Sequence, residues 1–134
     1  MWLSHHDPNA YDRCVLVAGR QVCRRCLVLY PLAFVVLVVA QVAAWSGPTE
    51  VLALVVLPLP AVIEFVLEHR RVVRYSPRRQ MLVTIPLAVG LGAGFDRYLD
   101  RPGDLLFWSV VVVYTGVCLG SALLNGRGDQ NRLR

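Results

Sequence analysis

Four long apolar runs alternate with short polar stretches along this chain: residues 27–45, 51–67, 81–98 and 105–124. The first run contains one polar side chain, Gln41, in nineteen residues. At about 1.5 Å rise per residue, a helix of this length crosses a hydrocarbon core of roughly 30 Å. The second run is apolar except for Glu64 and carries Pro58 and Pro60, which predict a loosened or kinked helix whose freed carbonyls a neighbouring helix must satisfy. The third is shorter and glycine-rich, and the fourth is the cleanest. Four such runs in 134 residues leave too little polar sequence to cover them, so lipid is the expected solvent. The predicted fold is an all-α, integral membrane four-helix domain over 27–124. A short cysteine- and histidine-rich cap (1–26) precedes it and a polar tail (125–134) follows. The first run begins late and shows no small-residue cleavage pattern behind it, so it is expected to remain as a helix.

Charge supplies the orientation. All fourteen basic residues are arginine, and the net charge is +5. Twelve of them lie in the N-terminal segment, the loop around residues 68–79 and the C-terminal tail. Only Arg97 and Arg101 lie in the segments expected on the other side. The positive-inside rule then places both termini and the arginine-rich loop in the cytoplasm of a multi-pass protein of the cell inner membrane. The same distribution assigns the basic charge to topology and anionic headgroups rather than to nucleic acid.

This topology changes the meaning of "SHHDPNAYDRCVLVAGRQVCRRC", residues 4–26. On the reducing side of a membrane, cysteines more often bind metal or do redox work than form disulfides. Cys23 and Cys26 have C-x-x-C spacing. The intervening "VLVAGRQV" has the pattern of a hairpin turning at Ala18 and Gly19, which returns Cys14 to the pair. His5 or His6 supplies a fourth donor, and three sulfurs with one nitrogen match a tetrahedral structural zinc site. An iron–sulfur cluster is the alternative. No βαβ pattern surrounds the pair, which argues against a thioredoxin-like site, and no histidine follows Cys26 as haem attachment requires. Cys118, in the middle of the fourth run, reads as a small packing residue.

The chain resembles the bacterial integral membrane proteins grouped as domain of unknown function 2085. That family opens with a Cys-His pair, continues to Cys-x-Arg-Cys and a tyrosine, and runs directly into a transmembrane helix. His5, Cys23, Arg25, Cys26 and Tyr30 stand at the matching positions; Ser4 stands where the first cysteine would be, leaving Cys14 to substitute for it. Pro60, Glu64, Ser76 and Arg79 resemble the family's later elements. The resemblance spans about residues 4–98 and favours His5 as the nitrogen ligand. It implies no biochemical activity.

Glu64 lies about one turn from the arginine-rich end of its run, on the same face as Glu68 and near His69, and is expected to pair with an arginine of the following loop. Contact with the cysteine cluster and proton or ion handling are the alternatives. Two G-x-x-x-G patterns, Gly90 with Gly94 and Gly116 with Gly120, predict close helix approach within the chain or with a partner. No hydrolase, metalloprotease or phosphate-loop motif is present, and the polar segments are too short for a catalytic domain. The chain is therefore not expected to be an enzyme. The expected role is an accessory, assembly or stabilising subunit of a larger membrane complex, or a homo-oligomer. A metal-responsive or metal-handling protein is the alternative.

Overall fold

The computed structural model describes residues 14–130, without the side chains of residues 21 and 125–130. The chain folds as a short hairpin, β1 (Cys14–Val17) and β2 (Arg20–Cys23), followed by α1 (Arg24–Ala43), α2 (Pro48–Val56), α3 (Leu59–His69), α4 (Pro77–Asp100) and α5 (Leu105–Gln130). Counting α2 and α3 as one broken span, four helical segments are long and apolar enough to cross a membrane. The helices overrun the apolar runs. α1 starts three residues before residue 27, and α4 extends both ends of its run, because arginines and a terminal aspartate are tolerated where a helix leaves the hydrocarbon.

α4 is the hub of the fold, packing against α1, α2 and α3, while α5 lies mainly on α3. Small residues make this possible. A Cβ on Gly92 would lie 2.6 Å from Val36 Cγ1 and 2.8 Å from the Ala33 carbonyl oxygen, so α1 and α4 meet backbone to backbone. Gly90 faces the Pro58 ring at 2.8 Å, and Gly94 faces Leu54 and Phe107. Val36 opposite Gly92 and Gln41 opposite Asp96 show that α1 and α4 run parallel. Their first residues therefore share the arginine-rich end. The other end carries Trp45, Tyr98 and Trp108, whose rings sit where an interfacial aromatic belt is expected.

The second span breaks at Leu57 and Pro58. Pro58 and Pro60 have no N–H to offer the preceding turn, which leaves carbonyls without intrahelical partners. At this break Tyr114 of α5 donates its hydroxyl to the Val55 carbonyl oxygen. A neighbouring helix thus satisfies one carbonyl beside the break. Tyr114→Phe is expected to cost about 1 kcal/mol, within the range of interhelical hydrogen bonds in membranes. Denaturant titration in mixed micelles would measure it; an unchanged midpoint would mean that the carbonyl finds another donor.

Candidate functional site

At the arginine-rich end, the hairpin assembles three of the four cysteines. Ala18 and Gly19 have φ of 48° and 76°, the paired positive values of a two-residue turn that follows the twist of the strands. The register places Cys14 directly opposite Cys23. Cys23 ends β2 and is the N-cap of α1, and Cys26 lies in the first turn of that helix. Cys14 and Cys23 are buried, and all four cysteines are thiols. The predicted hairpin is therefore present, with Cys14 paired to Cys23 and Cys26 in the helical turn that follows. Among the described residues, however, no group of three or more Cys, His, Asp or Glu side chains stands in a metal-ligating arrangement. His5 and His6 lie outside the described residues. The donor set suits zinc by type, since thiolates are soft ligands and Cys14, Cys23 and Cys26 share one end of one helix. Cys118 lies in α5, with intermediate exposure.

Glu64 is 7 % exposed and accepts a hydrogen bond from Arg79 Nε at 2.9 Å. Arg79 Nη2 donates in turn to the Arg74 carbonyl at 2.7 Å. This is the expected ion pair with the arginine-rich loop. It ties α3 to the first turn of α4 across the loop that connects them. Nearby, His69 Nδ1 lies 2.9 Å from the Phe65 carbonyl and the ring stacks on Phe65. Ser76 precedes α4 as its N-cap but makes no side-chain capping bond.

The largest polar network lies at the opposite end, where sequence reasoning counted charges without pairing them. Arg97 grips Asp104 with both Nε, at 2.7 Å, and Nη2, at 3.1 Å, and reaches Glu50 through Nη1 at 3.4 Å. Asp104 also accepts the Phe107 N–H at 2.9 Å, making it the N-cap of α5. The Arg97 guanidinium and this N–H hold the Asp104 carboxyl below its ordinary range. Gln41 donates to buried Asp96 at 2.6 Å, joining α1 to α4. A cavity of about 390 Å³ opens beside this network, lined by Ser46, Gly47, Glu50, Arg97, Asp100 and Arg101. Among the described residues no buried side-chain nitrogen or oxygen lacks a hydrogen-bond partner. The network is a satisfied clamp joining α2, α4 and α5. One signal for it was available: an aspartate directly before an apolar run is an N-cap pattern. The partners 47 and 55 residues away carried no local signal.

No protein-family model, curated protein or solved structure matches the chain.

Proposed function

We propose that this protein is a small accessory or stabilising subunit of a larger membrane assembly, set in the inner membrane with both termini cytoplasmic and capped by a structural zinc site. The observation that carries the reading is the contrast between the two glycine patterns. Gly90 and Gly94 are consumed by internal packing, whereas a Cβ on Gly116 or Gly120 would meet nothing within 4 Å among the described residues. A helix that packs little within its own chain yet presents a small-residue face suits close approach by another helix. The clamps described above join helices to one another, which is what a structural subunit requires, and nucleic acid has no part in this reading.

For the zinc site, the hairpin supplies Cys14 and Cys23 from opposite strands and α1 supplies Cys26. His5 or His6 would complete the tetrahedron, with His5 favoured by the resemblance to domain of unknown function 2085. A segment this short has no core of its own, so bound metal would contribute its folding free energy. Arg25 would offset part of the excess negative charge of three thiolates around a divalent ion.

One preparation tests the whole reading: the tagged protein, taken from its native membrane in mild detergent without chelator, is analysed for metal and for co-purifying polypeptides. One zinc per chain and a discrete membrane assembly are expected, with zinc lost in Cys26→Ser while the spans remain inserted. A metal-free monomer would sink the proposal; zinc that exchanges readily, with no partner, would favour metal handling. Reporter fusions after residues 48 and 101 should read outside and fusions within 70–79 inside. The opposite pattern would remove the redox argument for metal.

A further inference from the structure

Because α1 and α4 run parallel, their first turns stand side by side at the arginine-rich end. Between them lies a groove of about 510 Å³. Its walls are mainly apolar, formed by Val28, Met81, Leu82 and Ile85, and Arg24 and Arg78 also line it. Arg24 is the first residue of α1 and Arg78 the second of α4. Among the described residues neither arginine makes an ion pair or a side-chain hydrogen bond; the adjacent Arg79 is the one turned away to Glu64. The helix ends add to the same field. Neither first turn contains an acidic residue, and neither N-cap side chain, Cys23 nor Ser76, bonds its helix. Two unpaired guanidiniums and two uncompensated helix N-termini thus converge above a hydrocarbon-lined slot.

We propose that this groove binds one anionic glycerophospholipid from the leaflet on the arginine-rich side. The phosphate sits between Arg24 and Arg78, and one acyl chain lies along Val28, Met81, Leu82 and Ile85. Charge complementarity selects the headgroup: a lipid of net charge −1 satisfies the arginines, whereas a zwitterionic lipid adds an ammonium to a site that is already cationic. The groove selects the rest of the molecule, because free phosphate would leave the apolar walls unfilled. The depth also fits, since the arginines lie where span meets headgroup and basic pockets between membrane helices hold anionic lipid there. The bound lipid would wedge α1 against α4 directly below the cysteine hairpin. This inference does not depend on zinc or on a partner subunit.

The test reconstitutes the full-length protein in vesicles of equal phosphatidylglycerol and phosphatidylcholine. The protein is then recovered in mild detergent and its retained lipid quantified. Phosphatidylglycerol should be enriched over phosphatidylcholine in the wild type. Arg24→Gln with Arg78→Gln should reduce that preference about fivefold per arginine, roughly 25-fold together. Arg70→Gln with Arg74→Gln, which removes the same charge outside the groove, should leave it unchanged. Ile85→Trp, which fills the slot and keeps both arginines, should also release the lipid. Equal retention of the two lipids by the wild type would overturn the proposal. So would equal loss in the two double variants, since diffuse surface charge would then be responsible. Displacement of the lipid by millimolar inorganic phosphate would assign the site to a free anion and overturn it as well.

Discussion

Gly92→Leu is expected to drive α1 off α4 and to destabilise the helical domain by about 3 kcal/mol, the upper part of the usual range for overpacking. The first atom of the new side chain already falls 2.6 Å from Val36 Cγ1 and 2.8 Å from the Ala33 carbonyl. A valine side chain can rotate, but a backbone oxygen inside a helix cannot withdraw without moving the helix. Separating α1 from α4 also lengthens the 2.6 Å bond between Gln41 and Asp96, leaving a buried carboxyl without its amide donor. Denaturant titration in mixed micelles should show a lowered midpoint. Gly116→Leu is the control, because among the described residues nothing lies within 4 Å of a Cβ at that position. It should leave the midpoint of the isolated protein unchanged while weakening any assembly that uses the α5 face. Equal destabilisation by the two substitutions would contradict the division of labour between the glycine patterns.

The second large effect is expected at Arg97. Its side chain is 15 % exposed, and those of Glu50 and Asp104 are 8 % and 16 % exposed. Arg97→Ala leaves the Glu50 and Asp104 carboxylates without the guanidinium they share, so the denaturation midpoint in mixed micelles is expected to fall. Arg97→Lys keeps the charge but cannot present the planar fork that grips both Asp104 oxygens, so it should fall between wild type and alanine. The clamp also has an expected pH dependence. The Asp104 carboxyl is held below its ordinary value of 3.8, first by the Arg97 hydrogen bond and then by the Phe107 N–H. A carboxyl depressed on folding contributes its full stability above its unfolded value and loses it as pH falls through the folded one. The stability difference between wild type and Arg97→Ala should therefore be constant near neutrality and shrink on acidification below about pH 4. A difference that grew with acid would show that Arg97 does not act through Asp104.

Much of this architecture was legible locally. Long apolar runs identify membrane-spanning helices because helix length and hydrocarbon thickness are both set by simple geometry. Ala18 and Gly19 between two short strand-like stretches predict the turn, since a two-residue hairpin loop needs two positive φ values and a glycine supplies one of them easily. Glu64 announces its need for a cation because a carboxylate near hydrocarbon cannot stand alone, and the neighbouring loop offers little but arginine. Each of these features is decided within a few residues of itself.

The remainder depends on which helix faces which. Both glycine patterns look alike in sequence; only the parallel seating of α1 on α4, and of α2–α3 against α4's other side, decides that Gly90, Gly92 and Gly94 are covered and Gly116 is not. The prolines predicted a loosened or kinked second span, but that Tyr114 would answer the Val55 carbonyl follows from how α5 lies on the broken helix. Arg97 looked like a lone basic residue among aspartates until the packing of α2 and α5 around it made a clamp with Glu50 and Asp104. Hydrophobicity along the chain determined that this protein has four helical segments long and apolar enough to cross a membrane. Helix rotation and neighbour choice, set by contacts between residues tens of positions apart, decided which small residues pack and which charges pair.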